Sequence, residues 1–366
     1  MIQSYLHSLR SDSIIQTFLL SGGPLWIFVR VATLTFVIIA VLRMLPGPNR
    51  QVPRYRARPV RAAMRYGTSW TAAGVLVVAL AAVVAYKPPP LSIMPKTTGT
   101  LNIGMYAAGV NTSYTPETEF TSATGAKVSY VLSYSAFPGP FNTGFANLVT
   151  SHGSVPVIQI LPYNTSMQGI ADGAYDSSLK AYADEAKAFG GSVILSFAPE
   201  ANGDWYTWGY GNTPASTWVA AWQHVVTVFK QQGATNVSWM WTMNSAYGAS
   251  GPVSDYWPGS AYVGIIGIDG YYELPSENFQ SLFGDTIDQI REFAPKTPMM
   301  ISETASGPVV GASQVAPLFA GVKADGLMGL IWFNQTQDDG IYHQDWRLQD
   351  NPSILAAFKS AVKAYP

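Results

Sequence analysis

From Leu101 onward the chain repeats one pattern. Apolar runs of six or seven residues recur, each followed by a polar stretch and often by a helical one. The runs are 101–106 (LNIGMY), 127–132 (KVSYVL), 155–161 (VPVIQIL), 192–197 (SVILSF), 237–242 (VSWMWT), 262–268 (YVGIIGI), 297–302 (TPMMIS) and 327–333 (LMGLIWF). They are near-continuously apolar rather than alternating, which predicts strands buried on both faces. Residues 175–189, 216–232, 278–293 and 352–364 carry apolar positions at helical spacing. Gly233 suits a C-terminal cap, and Asn351-Pro352 a helix start. Strand–helix units in this number and size predict an α/β fold, a (β/α)₈ TIM barrel, over residues 99–366. A doubly wound open sheet competes. The Gly-rich dinucleotide fingerprint is missing after the first run, where Gly104 and Gly109 are wrongly spaced, and this weakens the competitor.

The hundred residues before the repeat follow another pattern. Tyr66 to Tyr86 is an uncharged run of 21 residues, long enough to cross a bilayer as a helix, with Trp70 and Tyr86 near its ends. A second apolar stretch, Leu25 to Leu45, is interrupted by Arg30 and reads as an earlier span. Between them, residues 46–65 hold six Arg and no acid, as a short cytoplasmic loop does under the positive-inside rule. The expected organisation is an N-terminal segment (1–24), a two-span membrane anchor with a basic loop (25–87), a Pro-containing linker (88–98) and an extracytoplasmic barrel (99–366).

Charge sharpens this division. Of 366 residues only 12% are charged, and the net charge is −1. Residues 1–87 carry ten basic side chains against one acid, a net +9, and the rest carries eleven against 21, a net −10. The low charge argues against a disordered tail and against a nucleic-acid partner. There is no Cys, hence no disulfide, thiolate metal site or cysteine nucleophile. His152, His224 and His343 have no metal-ligand spacing, no Ser-centred elbow occurs, and Asp338-Asp339-Gly340 reads as a solvated turn. Neither a metal nor a cofactor is expected.

A barrel gathers its functional groups at the C-terminal ends of its strands. Those ends supply Tyr106, Tyr134, Tyr163-Asn164, Glu200, Asn244, Asp269 with Tyr271, Glu303, and Trp332 with Asn334. Glu200 and Glu303 lie three units apart, which sets them across the mouth of a closed barrel. Two carboxyls flanking one bond, with flat rings around them, suit glycosidic cleavage: one stays protonated, the other ionised.

Residues 197–209, FAPEANGDWYTWG, resemble the acid/base segment of glycoside hydrolase family 26, in which Glu200, Asn202, Gly203, Trp205, Tyr206, Trp208 and Gly209 fall on matching positions. Ile268-Asp269-Gly270-Tyr271, Met300-Ile301-Ser302-Glu303 and Ile331-Trp332-Phe333 resemble that family's later segments in order. The resemblance implies a retaining β-glycan hydrolase with Glu200 as acid/base and Glu303 as nucleophile. It implies that Tyr271 orients Glu303, and that Trp332 forms a sugar platform. Asn202, Trp205, Asp269 and Tyr106 complete the expected substrate contacts, with Trp208 as a further ring. The sequence departs from the family at Pro199, where His is usual, and at Ser196-Phe197, where Arg-Pro is usual. The expected substrate is a polysaccharide: mannan, or another β-glycan such as β-xylan or mixed-linkage β-glucan. A non-catalytic polysaccharide-binding or assembly protein of an exopolysaccharide export system is the alternative, and the anchor would bring such a complex within reach as a partner.

Overall fold

The computed structural model describes residues 101–337 and 343–365. The two expected spans, the basic loop, the linker and the Asp338-Asp339-Gly340 turn lie outside these residues. Among the described residues no helix is long and apolar enough to cross a membrane.

Eight parallel strands close into one barrel in sequential order, which removes the open-sheet alternative. They are β1 Asn102–Tyr106, β2 Val128–Ala136, β3 Val155–Leu161, β4 Val193–Phe197, β5 Val237–Asn244, β6 Ile265–Asp269, β7 Met299–Thr304 and β8 Gly329–Phe333. Helices α1 Thr115–Thr124, α2 Thr143–Ser151, α3 Met167–Ala171, α4 Asp176–Phe189, α5 Ala215–Gln232, α6 Asp285–Phe293, α7 Val315–Ala324 and α8 Pro352–Ala364 cover the outside. The expected helix over 278–293 starts later than its pattern, because Gln280–Gly284 forms a π turn ahead of α6. Between β5 and β6 the chain makes only a 3₁₀ turn, Val253–Tyr256.

Strand periodicity sorts side chains into two populations. Tyr130, Leu132, Val157, Ile194, Met240, Ile265, Met300 and Ile331 fill the barrel interior as one cluster. The alternate positions join the larger cluster under the helices. One interior site has no room for a side chain: a Cβ on Gly104 would stand 2.7 Å from Ile331 Cγ1 and 2.8 Å from Tyr130 Cβ. Toward the C-terminal ends the interior turns polar, with Gln159, Ser196, Thr242, Asp269 and Ser302 all buried. Ser196 Oγ donates to Thr242 Oγ1 at 2.8 Å inside the barrel.

Gly104→Ala should overpack the barrel centre and cost about 1–3 kcal/mol. Urea denaturation checks this, and an unchanged midpoint would show that the interior can give way.

Candidate active site

Glu200 sits beyond β4 on strained backbone. Ala198 and Glu200 both have positive φ, 46° and 54°, which non-glycine residues rarely adopt. Four hydrogen bonds hold this turn. Ala198 N–H donates to Ile160 O and Glu200 N–H to Thr242 O, each at 2.9 Å. The indole N–H of Trp218 donates to Ala198 O at 3.1 Å and that of Trp208 to Pro199 O at 2.8 Å. Pro199 is thus compatible with the turn, which needs only its carbonyl.

The following motif folds back over Glu200. A Cβ on Gly203 would fall 2.3 Å from the Trp205 ring, so only glycine lets that indole lie across the chain. Trp205 Nε1 then donates to Glu200 Oε2 at 3.1 Å, with the ring 45% exposed. Asn244, at the end of β5, donates from Nδ2 to Glu200 Oε1 at 3.3 Å. Tyr206 stacks on Trp208 with centroids 4.3 Å apart.

Glu303 comes from β7. The β6–β7 register shifts between Ile268 and Asp269, so that Asp269 pairs with Glu303. A bulge of this kind re-aims side chains at a barrel rim. Both carboxylate oxygens of Glu303 accept a phenol: Tyr134 Oη donates to Oε1 and Tyr271 Oη to Oε2, each at 2.6 Å. Tyr271 in turn stacks on Trp346 at 4.4 Å, nearly parallel. Tyr106 is half-buried, stacked on Phe333 and edge-on to Tyr134.

The surroundings of the two carboxyls differ. Burial pushes the Glu200 pKa up to about 8, and the charge of Glu303 adds to this; the bonds from Trp205 and Asn244 offset only part. Burial raises Glu303 as well, opposed by the two phenols and by Gln159. Asp269 behind them is held well above the usual carboxylate range by burial and by the charges of Glu303 and Glu200. Glu303 therefore ionises more readily than Glu200, whose charged form burial and the Glu303 charge both disfavour.

Three residues expected to contact substrate lie buried. Trp332 is fully buried on the outside of the barrel, against Phe358 of α8, with its indole N–H donating to Trp346 O at 3.0 Å. Strand alternation turns its neighbour Phe333 toward Tyr106 and Tyr271 instead. Asn202 is also fully buried, because its amide clips β5: Nδ2 donates to Asn244 O at 2.8 Å, and Asn244 N–H donates to Asn202 Oδ1 at 3.0 Å. Asp269 is buried and accepts from Ser302 Oγ at 2.5 Å. Asn202 thus ties its loop to β5, and Asp269 pairs with Ser302 of β7. Trp208, too, is buried against Tyr206.

Gln159 is a site residue that the sequence pattern does not single out, and Tyr134 and Asn244 gain their roles only in the structure. Tyr134 and Asn244 stood among the strand ends, but nothing local in the sequence pairs them with a glutamate. Among the described residues no group of His, Asp and Glu could hold a metal ion.

The family model for glycosyl hydrolase family 26 matches residues 164–361, more than half of the chain. The chain belongs to this family. Endoglucanase H of Acetivibrio thermocellus is 27% identical over 281 residues, covering 72% of this chain and 30% of that protein. Mannan endo-1,4-beta-mannosidase A and B of Caldalkalibacillus mannanilyticus is 28% identical over 99 residues, 25% of this chain and 19% of that protein. The chain therefore spans under a third of the length of either relative. Among solved structures, the Cellulomonas fimi endo-beta-1,4-mannanase shares the fold, with a TM-score of 0.54 at 15% identity over 72% of this chain and 70% of that one. The family match includes Glu200, Asp269, Tyr271 and Glu303, and begins after Tyr134 and Gln159. The β2 phenol on Glu303 thus comes from outside the matched stretch.

Removing either set of partners should move the ionisation of its own glutamate most. Trp205→Phe deletes a bond that favours charged Glu200 and should raise that group's pKa further above 8. Tyr134→Phe should raise that of Glu303. Carbon-13 NMR titration of glutamate-labelled protein checks both; equal shifts at the two sites in each variant would contradict the separate surroundings described here.

Proposed function

We propose that the protein is a membrane-anchored, extracytoplasmic, retaining glycosidase that cleaves internal β-linkages of a neutral polysaccharide with a glucan or mannan backbone. The observation that carries this reading is the pair of carboxyls in one barrel mouth, Glu303 under two phenols and Glu200 bonded by Trp205 and Asn244. The names of the relatives, an endoglucanase and a mannan endo-1,4-beta-mannosidase, support the substrate class.

In the first step a Glu303 oxygen attacks the anomeric carbon. The glycosidic C–O bond breaks, and the leaving oxygen takes the proton of Glu200. The product is a glycosyl ester on Glu303 with Glu200 ionised. In the second step Glu200 removes a proton from water, the water oxygen bonds to the anomeric carbon, and Glu303 is released as carboxylate. Tyr134 and Tyr271 hold the Glu303 carboxylate in place. Trp205 and Tyr106 offer rings to the sugar faces. The +9 leader supports the membrane placement: its apolar stretches would span, its arginines would stay cytoplasmic, and the barrel would act on polysaccharide at the cell surface, beside an export complex.

Turnover of galactomannan, β-xylan and mixed-linkage β-glucan by the full-length chain in detergent tests this. Glu303→Ala should lose about a thousandfold or more in kcat. Glu200→Gln should lose about 10²–10⁴-fold on polysaccharide and far less on aryl glycosides, whose leaving groups need no proton. Because Glu200 acts protonated, activity should fall as pH rises through about 8, and this limb should vanish in Glu200→Gln. Turnover unaffected by Glu303→Ala would sink the reading.

A further inference from the structure

The helices return the chain from the mouth to the opposite face of the barrel, its base, where the strands begin. Charge divides between these two faces. Five helices carry a basic side chain in their last turn, at the base: Lys187 in α4, Lys230 in α5, Arg291 in α6, Lys323 in α7 and Lys363 in α8. Lys127 and Lys296 join them from the loops that lead into β2 and β7. Among the described residues at these helix ends and loops, only Glu292 and Asp325 oppose the seven, and Asp325 is paired with Arg291 at 3.1 Å. All six lysines are exposed.

The rim of the mouth has the opposite sign. The segments that follow the strands carry Asp172, Asp204, Glu273, Asp345 and Asp350. The one Lys or Arg among their described residues is Arg347, paired with Asp345 at 2.6 Å and with Asp350 at 2.9 Å. Helix dipoles account for part of this division, because a cation near a helix C-terminus is stabilising. They do not account for Lys127 and Lys296, which lie outside the helices yet on the same face. The base is also where the chain enters the barrel. β1 starts there at Asn102, and the Pro-containing stretch 88–98 stands between it and the apolar run Tyr66 to Tyr86.

We propose that the base of the barrel is a docking surface for anionic lipid headgroups, and that docking there turns the mouth away from the membrane. The proposal rests on the membrane placement given above, since the covalent connection supplies the lipid surface to the face from which the chain departs. A negatively charged leaflet attracts clustered lysines and repels the acidic rim, so both faces favour one orientation. The consequence is functional: the cleft opens toward polymer outside the cell rather than toward lipid.

The chain has no Cys, so one introduced thiol takes one dye. Thr235→Cys marks the base, between α5 and β5, and Thr112→Cys marks the mouth, between β1 and α1; both positions are exposed. The full-length chain is placed in phosphatidylcholine vesicles with or without phosphatidylglycerol, each with a trace of acceptor-labelled lipid. In the anionic vesicles, energy transfer from position 235 should exceed that from position 112 by about twofold or more. The excess should fall to its neutral-vesicle value at about 0.5 M salt, and in a variant combining Lys127→Gln, Lys296→Gln and Lys363→Gln. Equal transfer from the two positions, or an excess indifferent to anionic lipid, salt and the three lysines, would overturn the proposal. Flotation separates this outcome from failure of the anchor. A chain that does not float with neutral vesicles contradicts the anchor. If that chain still binds phosphatidylglycerol vesicles, and the three-lysine variant does not, the base stands as a lipid surface by itself. Binding to neither kind of vesicle, or binding that the variant retains, overturns it. Should the unfolding midpoint show that the variant has failed to fold, the salt dependence of the wild type carries the comparison.

Discussion

The site depends on a strained turn. Two of the three residues Ala198-Pro199-Glu200 have left-handed backbone, and only external bonds make that conformation tolerable. The strand neighbours supply two of them through Ile160 and Thr242. Two tryptophans supply the others from different directions, Trp218 from helix α5 and Trp208 from the loop beyond the glutamate. The strain is thus offset by burying two large rings whose only polar atoms are satisfied by the turn itself. The same loop leads Trp205 over Gly203 to the Glu200 carboxyl, and Asn202 locks the loop to β5. Backbone, packing and the position of one carboxyl are therefore a single problem with a single solution.

Electrostatics builds on that placement. Three acids, Glu200, Asp269 and Glu303, share one barrel mouth, and burial disfavours charge on each. Two phenols at 2.6 Å select Glu303 as the group that ionises most readily. Its charge then helps keep the other two protonated. Identical side chains acquire different chemistry because Glu303 accepts two short phenol bonds, whereas Glu200 accepts two longer ones from Trp205 and Asn244.

The strands were legible because a barrel buries both faces of every strand, and continuous apolar runs such as VPVIQIL record this directly. The glutamate pair was legible because strand ends converge. What the linear pattern conceals is parity. Trp332 and Phe333 are adjacent and both aromatic, yet they point in opposite directions, so a reading without register chose the larger ring. Asn202 and Asp269 show a related limit: polar residues in a binding motif can serve from behind, as a clip on β5 or a partner of Ser302. Tyr134 was concealed for a different reason. Its partner is 169 residues away, and only closure of the barrel brings β2 to the carboxylate of β7.

The assignment of Glu303 as the attacking group implies a covalent intermediate, and that species can be trapped. A 2-deoxy-2-fluoro β-glycoside of a glucose or mannose disaccharide with an activated leaving group slows the second step more than the first. After incubation, peptide mass spectrometry should find the fluoroglycosyl mass on the peptide containing Glu303 and nowhere else, with no adduct in Glu303→Ala. An adduct on another carboxylate, or turnover of the matching unfluorinated glycoside to product of inverted anomeric configuration, would contradict the account.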